Sequence, residues 1–392
     1  MTLLEKEMAL TIPLEKLNSF ETPFYFYDTA LLQDTLDICK KEADRYGYHV
    51  HYALKANTSD YLLKIIRDKG LGADCVSGNE VRKAVETGFD KKDIVFAGVG
   101  KSDKEIRYAL SQDIFSFNCE GLQELEVLND LAGSMQTKAR IALRINPNVS
   151  ANTHHYITTG LEENKFGINP WEFDQVLSLL KRLPNVELTG LHFHIGSQIN
   201  DLEAFKNLCI RVNEFSRWFE DRQYILPHLN VGGGLGVNYQ HPHSEPIPDF
   251  ASYFKVFSTF LEPKPHQKIH FELGRSLIAQ CGVLISKVLF IKTGIQKNFC
   301  ILDAGMTELI RPALYQAYHK IENLSSLSES KLKYDVVGPV CESSDCFGKA
   351  ITLPETKRGD LIGIYTAGAY GEVMSSYYNL RDKAKAIYSD QL

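Results

Sequence analysis

Eight short apolar segments alternate with amphipathic ones over residues 48–273, and this rhythm constrains the fold of the chain more than any other feature. The apolar segments have the length of buried strands, whereas the segments between them have the spacing of helices. The predicted strands are 48–54, 71–76, 93–97, 114–118, 139–145, 187–195, 229–232 and 268–273. The predicted helices between them are 59–69, 78–87, 104–111, 121–131, 170–182, 201–220 and 249–261. Strand–helix–strand units make right-handed parallel crossovers, and eight of them in roughly 230 residues favour a TIM barrel over a doubly wound sheet.

Beyond residue 273 the pattern changes to strands separated by turns, with little helix between them. Strands are predicted at 283–291, 299–303, 334–340, 349–353 and 360–366, which indicates a second, mostly-β domain. Segment 23–27 is a lone strand of alternating aromatic residues ahead of the barrel, and its best partner is that β domain. We therefore predict an α/β protein with a (β/α)8 TIM barrel at 28–273 and a mostly-β barrel domain formed by 274–392 and completed by the amino-terminal strand within 1–27.

Composition and charge argue against several classes of function. The net charge is −6 and there is no basic tail, which argues against a nucleic-acid partner. No apolar run reaches the roughly 18 residues of a membrane span, and the amino terminus lacks the apolar core of a signal peptide. The eight cysteines show no CxxC pair and no metal-ligand spacing. We expect a cytoplasmic protein with reduced thiols, no metal site and no membrane contact.

Lys55 stands at the carboxyl end of the first predicted strand, where the small residues Ala56 and Asn57 let the chain turn away. In a low-dielectric cleft a lysine loses its proton easily, because burial disfavours the charged form. A neutral amine at such a position can form a Schiff base with the aldehyde of pyridoxal phosphate. Taken alone, Lys55 is better explained as a strand-end lysine whose side chain reaches water than as a Schiff-base lysine.

Further polar residues lie at the carboxyl ends of the predicted strands, which is where TIM barrels place their active sites. These residues are Asp74, Arg144, His194, Ser197, Glu272 and Arg275, together with the glycine run Gly232, Gly233 and Gly234. The glycines leave backbone N–H groups free to hold a phosphate. Each feature also has a plainer explanation: the glycines could form a tight turn, and His192 or His194 could be a core histidine. Glu272 could be an ion-pair partner of Arg275. Their gathering at one rim favours a cofactor site instead.

Four sequence motifs coincide with this rim. They are Tyr52-Ala53-Leu54-Lys55-Ala56-Asn57, His192-Phe193-His194-Ile195-Gly196-Ser197-Gln198, the Gly232–Gly234 run and Glu272-Leu273-Gly274-Arg275. Three later motifs are Arg311-Pro312-Ala313-Leu314-Tyr315, Cys341-Glu342-Ser343-Ser344-Asp345 and Gly368-Ala369-Tyr370. The rim motifs resemble those of fold-type III pyridoxal-phosphate-dependent decarboxylases, and the later ones resemble the diaminopimelate-specific branch of that family. The likeness extends from Pro23 to Asn379. One position departs from the family: Leu273 stands where proline is usual, so the loop around Glu272 is expected to be less rigid.

The resemblance implies a role for each residue at the rim. Lys55 would hold pyridoxal phosphate covalently, His194 would stack on the pyridine face and Glu272 would pair with the pyridine nitrogen. The remaining cofactor-binding residues that it implies are Asp74, Arg144, Ser197, Gly232, Gly233, Gly234, Gly274, Arg275 and Tyr370. A carboxylate beside the pyridine nitrogen keeps that nitrogen protonated and makes the ring a strong electron sink, as decarboxylation requires.

The same resemblance implies a substrate and an assembly. The implied reaction converts meso-2,6-diaminopimelate into L-lysine and CO2. The implied substrate-binding residues are Arg275, Arg311, Tyr315, Glu342 and Tyr370. Arg275, Arg311 and Tyr315 would hold the distal carboxylate, because guanidinium groups bind carboxylates bidentately. Glu342 would pair with the distal ammonium group. Cys341 would donate the proton that replaces CO2, and it would do so across the interface of a homodimer with two shared active sites.

Three other functions are compatible with a barrel of this kind. A decarboxylase of ornithine, arginine or carboxynorspermidine would need acidic groups at the distal end of its substrate, and Arg311 argues against it. A non-catalytic protein that binds pyridoxal phosphate would lack the lysine or the cysteine, yet Lys55 and Cys341 are both present. An amino-acid racemase works with a weaker electron sink and would not require Glu272. The sequence leaves open whether Cys346 has a redox role.

Overall fold

The computed structural model of the protein describes Leu10, residues 12–149 and residues 165–392. Contacts between Cα atoms divide the chain into two compact units. The barrel unit comprises Leu36–Gly236 and Asp249–Gly274, and the sheet unit comprises the segment up to Thr35, Val237–Pro248 and Arg275–Leu392. The segment Val237–Pro248 thus belongs to the sheet unit although it lies between two barrel strands in the sequence.

The first strand, β1 (Phe24–Tyr27), belongs to the sheet unit, and the next eight strands form the barrel. These eight are β2 (His49–Ala53), β3 (Gly72–Cys75), β4 (Ile94–Phe96), β5 (Ser116–Cys119), β6 (Ala139–Arg144), β7 (Val186–His192), β8 (His228–Asn230) and β9 (Lys268–Leu273). Each strand pairs in parallel with the next, and β9 pairs with β2, so the sheet closes into a ring. The predicted TIM barrel and its eight predicted strands are confirmed.

Helices connect the barrel strands in the predicted order, and local signals set their ends. They are Asp60–Asp68, Gly78–Thr87, Asp103–Ser111, Leu122–Ser134, Phe173–Leu180, Leu202–Glu220 and Phe250–Phe260. The Gly78–Thr87 helix begins where the Ser77 hydroxyl accepts a backbone hydrogen bond, and it ends at Gly88, whose φ of 93° is left-handed. The predicted helix at 170–182 is shorter than expected, because its first turn, Pro170–Glu172, is a 3-10 turn. Within the described part of the chain, no helix has the length and apolar character needed to span a bilayer.

The barrel strands alternate between an outer face that packs on helices and an inner face that carries polar groups. On β9, Phe271 points outward, and its ring centre lies 5.0 Å from that of Phe254 and 4.9 Å from that of Phe257 in the preceding helix. The next residue, Glu272, points into the barrel, where it accepts a hydrogen bond from Asn118 on β5, the strand opposite β9 in the ring. The apolar outer shell therefore fixes which residues face the interior.

The sheet unit contains an eight-stranded sheet built from β1 and the last seven strands. These seven are β10 (Gly282–Thr293), β11 (Asn298–Leu302), β12 (Ile321–Asn323), β13 (Lys331–Val337), β14 (Cys346–Pro354), β15 (Leu361–Ile364) and β16 (Lys385–Tyr388). Six of them run in the order β12-β15-β10-β11-β13-β14, and β1 joins β10 to β16. Because β1 pairs antiparallel with β10 and parallel with β16, the predicted placement of segment 23–27 is confirmed, and both ends of the described chain meet in one sheet.

Candidate active site

Lys55 lies directly after β2, in the single 3-10 turn Leu54–Ala56. The Tyr52 hydroxyl donates to the Asn57 carbonyl (3.0 Å), which holds this turn against the strand. The Lys55 Nζ atom lies 3.6 Å from Asp74 Oδ2, and the lysine side chain is 39% exposed. The amine at the barrel rim is therefore accessible to a ligand.

Asp74 is a buried carboxylate near the carboxyl end of β3. Burial and the charge of Glu272 raise the pKa of Asp74 to about 7, although Lys55 acts in the opposite direction. Apart from the ion pair with Lys55, neither oxygen has a hydrogen-bond partner among the described residues. A buried acid without such partners is costly unless a bound group completes its surroundings, so Asp74 indicates a ligand site.

Glu272 is held by three side-chain donors inside the barrel. Its Oε1 accepts hydrogen bonds from Asn118 Nδ2 (2.9 Å) and Asn230 Nδ2 (2.7 Å). Its Oε2 accepts one from His192 Nε2 (2.8 Å). Burial raises the pKa of Glu272, but His192 and Lys55 outweigh burial, so this pKa lies below its usual range. Glu272 is therefore an ionised carboxylate with a fixed orientation.

His192 and His194 have different surroundings. His192 binds the buried carboxylate, whereas His194 lies beyond the end of β7, where its Nδ1 accepts a long hydrogen bond from the Gly233 N–H (3.4 Å). Burial holds the pKa of His194 well below its usual range, and the charges of Lys55 and Arg144 act in the same direction. His194 is therefore an uncharged ring at the barrel rim, which suits stacking on a planar ligand.

The glycine run after β8 passes so close to the neighbouring loops that side chains are excluded. A Cβ atom added at Gly232 would collide with the Phe193 carbonyl oxygen, and one at Gly233 would collide with the Glu272 carbonyl oxygen. Gly232 and Gly234 also adopt positive φ angles of 70° and 112°. The run therefore lines the rim with main-chain groups, and it does so in a loop where TIM barrels commonly bind phosphate.

Arg144, at the end of β6, pairs with an acid that the sequence did not indicate. Its Nη1 lies 2.7 Å from Glu120 Oε1, and both side chains are buried. Its guanidinium carbon lies 4.7 Å from the Phe166 ring centre, and Glu120 Oε2 accepts a hydrogen bond from the Gly167 N–H (2.9 Å). Arg144 is therefore fixed at the rim by its own partner. Its predicted role in binding the cofactor stays a prediction.

The barrel rim fits pyridoxal phosphate. The Lys55 amine is accessible to an aldehyde, and the buried Asp74 oxygens lack hydrogen-bond partners within the described chain. The Glu272 carboxylate is fixed and ionised, as the partner of a protonated pyridine nitrogen must be. The glycine run supplies main-chain groups for a phosphate. Ser197 and Gly274, which are also predicted to bind the cofactor, lie in the loops after β7 and β9.

Two arginines predicted to bind substrate lie together in the sheet unit. Arg275 and Arg311 are both buried, and both contact Tyr239. Arg275 Nη1 donates to the Tyr239 hydroxyl (2.6 Å), and its guanidinium carbon lies 4.8 Å from the Tyr370 ring centre. The described partner of Arg311 Nη1 is His319 Nε2 (2.8 Å), an uncharged group rather than a carboxylate. Buried guanidinium groups of this kind suit the binding of a carboxylate from a ligand. Tyr315, the third predicted member of this group, ends the short helix that begins at Arg311.

Cys341 and Glu342 lie in an exposed turn before β14. The buried Asp345 organises this turn by accepting a hydrogen bond from the Val340 N–H (2.7 Å). The Cys341 N–H in turn donates to Asn379 Oδ1 (3.0 Å). The turn is therefore well defined, and it presents the Cys341 thiol on the surface of its own unit. All eight cysteines are free thiols.

Sequence reasoning missed the residues that hold the predicted ones in place. Asn118 and Asn230 bind Glu272, whereas Tyr239 and His319 bind the two arginines. The sequence did contain a signal for the asparagines, because a polar residue within a buried strand needs a partner. Tyr239 and His319 lie outside regular strands and helices, so neither has a periodic pattern that could have revealed its role.

Comparison with known proteins places the chain in one family. Residues 32–279 match the family model described as the pyridoxal binding domain of pyridoxal-dependent decarboxylases. The chain is 55% identical over 381 residues to a diaminopimelate decarboxylase of Bacteroides thetaiotaomicron, which covers 97% of this chain and 98% of that protein. It is 41% identical over 383 residues to one of Vibrio cholerae, with coverages of 97% and 91%. Among solved structures, Helicobacter pylori diaminopimelate decarboxylase complexed with L-lysine has a TM-score of 0.90 at 39% identity, covering 97% of this chain and 94% of that one.

Proposed function

This chain belongs to the family of pyridoxal-dependent decarboxylases, and we propose that it decarboxylates meso-2,6-diaminopimelate to L-lysine and CO2. The observation that carries the proposal is the 55% identity to a diaminopimelate decarboxylase across 97% of the chain. The barrel rim supports an amino-acid decarboxylation, and the two guanidinium groups of the sheet unit support a substrate with a second carboxylate. Pyridoxal phosphate, when bound, supplies an electron sink that stabilises the negative charge left on the α carbon as CO2 departs.

In the barrel unit, each residue has a role that follows from its surroundings. Lys55 would be the residue that holds the cofactor, and Asp74, at 3.6 Å from the lysine Nζ, would order that amine. Glu272 would pair with the pyridine nitrogen and keep it protonated, because its three hydrogen-bond donors favour the ionised carboxylate. His194 would contact the ring without adding a charge, and the glycine run, Ser197 and Gly274 would hold the phosphate.

In the sheet unit, Arg275 and Arg311 recognise the distal carboxylate of the substrate. Both are buried, so a carboxylate that reaches them forms a charge-assisted pair screened from water. Ornithine, arginine and carboxynorspermidine place a cation at their distal end, and a buried guanidinium repels a cation. The Tyr370 ring lies against Arg275, and Tyr315 ends the helix that begins at Arg311. Glu342, next to Cys341 in the exposed turn, would supply a negative charge for the distal ammonium.

We also infer a homodimer in which Cys341 completes the active site of the partner chain. Cys341 is exposed, and its backbone is hydrogen-bonded to Asn379. The neighbours of Asn379 in sequence, Tyr377, Tyr378 and Leu380, are large and exposed, with Leu380 at 95%. Apolar residues grouped in this way mark a surface that another chain covers, and a two-fold dimer would cover both copies. A cytoplasmic location, which the free thiols support, stays a prediction.

Substrate selectivity tests the proposed reaction. Purified protein is incubated with pyridoxal phosphate and, in separate reactions, with diaminopimelate, ornithine and arginine, and the released CO2 is measured. We expect release from diaminopimelate and none from the other two amino acids. Release from ornithine or arginine instead would replace the proposed function with its rival.

The attachment of the cofactor is tested at Lys55. Borohydride should fix the cofactor to this residue in the wild-type protein, and Lys55→Ala should lose both the fixed adduct and nearly all turnover. Lys83→Ala is the matched control, because Lys83 forms a surface ion pair with Asp60 on two barrel-unit helices. Peptide mapping that found the adduct on another lysine would contradict the assignment.

A further inference from the structure

His319 holds Arg311 from an uncharged ring. Its Nδ1 lies 2.8 Å from the Tyr365 carbonyl oxygen, and a carbonyl only accepts, so Nδ1 carries a proton. Its Nε2 lies 2.8 Å from Arg311 Nη1, and a guanidinium only donates, so Nε2 accepts. One proton on Nδ1 and a lone pair on Nε2 define the neutral imidazole. Burial and the charge of Arg311 lower the pKa of His319 to about 3, which agrees with that assignment.

Tyr239 contacts both arginines and the histidine. Its hydroxyl accepts from Arg275 Nη1 (2.6 Å), and its ring centre lies 4.8 Å from the Arg311 guanidinium carbon. The ring also meets His319 edge to face, with centres 5.2 Å apart. Because the tyrosine oxygen acts as an acceptor toward Arg275, its own O–H proton remains to be donated in another direction. Tyr239 therefore connects the two guanidinium groups and fixes the distance between them.

The two supports are a hydroxyl and an imidazole, and neither is a carboxylate. Burial lowers the pKa of Arg311, and the neighbouring Arg275 lowers it further, whereas Tyr239 raises it. An aspartate or glutamate in place of Tyr239 or His319 would relieve this repulsion, but it would also compete with a carboxylate from the substrate. A neutral hydroxyl and a neutral imidazole orient the guanidinium groups without forming an ion pair that would compete with the substrate carboxylate.

We propose that Tyr239 and His319 are positioning residues that hold Arg275 and Arg311 ready for a carboxylate at the distal end of the substrate, and thereby determine specificity for such substrates. The inference rests on the proposed function, because it assigns the two arginines to substrate binding. To those two arginines the inference adds Tyr239 and His319, which act through the arginines and do not touch the reacting carbon. The expected signature is a loss of affinity for ligands with a distal carboxylate, with no loss for ligands that lack one.

The test compares two ligands of equal length in the holoenzyme. L-Lysine carries a distal carboxylate, whereas 1,5-diaminopentane carries none, and the dissociation constant of each is measured by calorimetry. Tyr239→Phe keeps the ring and removes the hydroxyl. It should raise the dissociation constant of L-lysine about 10- to 100-fold, the range expected for the loss of one hydrogen bond to a charged group. Binding of 1,5-diaminopentane and the visible spectrum of the bound cofactor should not change. Tyr253→Phe is the matched control, because Tyr253 is a buried barrel-unit tyrosine whose hydroxyl has no described partner.

His319 is tested by a pair of variants. His319→Phe removes the acceptor for Arg311. It should weaken the binding of L-lysine but not that of 1,5-diaminopentane. His319→Gln places a carbonyl oxygen near the position of Nε2 and should recover at least part of the lost affinity. If His319→Phe does not fold, Tyr239→Phe alone still decides the question, since it changes a single oxygen atom.

Two results would overturn the proposal. One is an unchanged ratio of the two dissociation constants in Tyr239→Phe, and the other is an equal weakening of both ligands, which indicates only a structural role. The proposed function fails separately, if the wild-type holoenzyme releases no CO2 from diaminopimelate. In that case the ratio of dissociation constants still decides whether Tyr239 and His319 support a carboxylate site.

Discussion

At the scale of single residues, the charge of Glu272 is the property on which the proposed chemistry most depends. Glu272→Gln should retain much of the cofactor binding but reduce kcat by about 100-fold or more, because an amide cannot hold a proton on the pyridine nitrogen. The amide also presents N–H groups to neighbours that are themselves donors, namely Asn118, Asn230 and His192. Steady-state kinetics and a spectroscopic titration of the cofactor check the prediction.

A matched control for this substitution is Glu105→Gln. Glu105 makes the same chemical contribution, a carboxylate that accepts hydrogen bonds, but it caps the Asp103–Ser111 helix at Ser102. This control should have wild-type kcat. A kcat near the wild-type value in Glu272→Gln itself would reduce Glu272 to a structural residue.

Residues that carry a chemical role were easier to predict than those that support them. Lys55 and Glu272 stand out in the sequence because each is a charged residue close to the carboxyl end of a predicted barrel strand. The partners of Glu272 on β5 and β8 depend on which side chains meet across a closed ring, and that is decided by the register of eight strands together. The support that Tyr239 gives to Arg275 depends on a loop conformation that no periodic pattern encodes.

At the scale of elements, three strands are joined through a chain of histidines inside the barrel. The His51 Nδ1 donates to the Asp93 carbonyl (3.0 Å), which can only accept. A neutral His51 ring with its proton on Nδ1 has a lone pair on Nε2, which therefore accepts from the His270 Nδ1–H (2.9 Å). By the same reasoning, His270 Nε2 accepts from the His228 Nδ1–H (3.0 Å). Burial lowers the pKa of all three, that of His228 to about 4, so the rings are neutral near pH 7. The stacked ring of His49 lies 5.0 Å from that of His270.

The chain of histidines predicts that the protein loses stability in acid. An unfolded histidine titrates near pH 6.5, and the folded pKa values lie lower, so the unfolded state binds protons first as the pH falls. The contribution to stability is complete above about pH 6.5 and is lost as the pH falls toward about 4, by roughly 1–3 kcal/mol for a ring such as His228. His228→Asn keeps a donor but removes a titrating group, so its free energy of unfolding should fall less steeply than that of the wild type between pH 7 and 4.5.

Urea unfolding at a series of pH values measures this difference. His241→Asn serves as the control, because His241 is exposed and lies outside the histidine chain. Equal pH slopes for His228→Asn and the wild type would show that the chain does not control acid stability.

The elements themselves were predicted unevenly, and the reason is physical. Strands β2 to β9 have apolar runs that a closed barrel requires, and each was predicted within a few residues of its bounds. The sheet-unit strands β12 and β16 were missed, because they have only three and four residues, too few to show a strand pattern. Such short strands form because neighbours pair with them, and a local pattern does not report that.

At the scale of the whole molecule, the sequence indicated how the chain is distributed between two folds. The alternating aromatics of β1 predicted its place in the carboxyl-terminal sheet, and its pairing with β10 and β16 follows that pattern. The segment Val237–Pro248 was not predicted to leave the barrel unit, because its contacts with the sheet unit are distant in sequence. Hydrophobic periodicity does not report association with a second chain, so the homodimer was predicted only from the family resemblance.

The homodimer with shared sites is testable by complementation. Lys55→Ala and Cys341→Ala should each be inactive alone, because one lacks the amine and the other lacks the proton donor. After the two variants are mixed and their subunits exchange, about half of the dimers contain one chain of each kind. In such a dimer one site carries both lesions and the other carries neither, so activity should return to at most about a quarter of the wild-type value per site. Mixing Lys55→Ala with itself is the control and should restore nothing. If a fluorescent label confirms exchange and no activity returns, Cys341 serves its own chain or has no catalytic role.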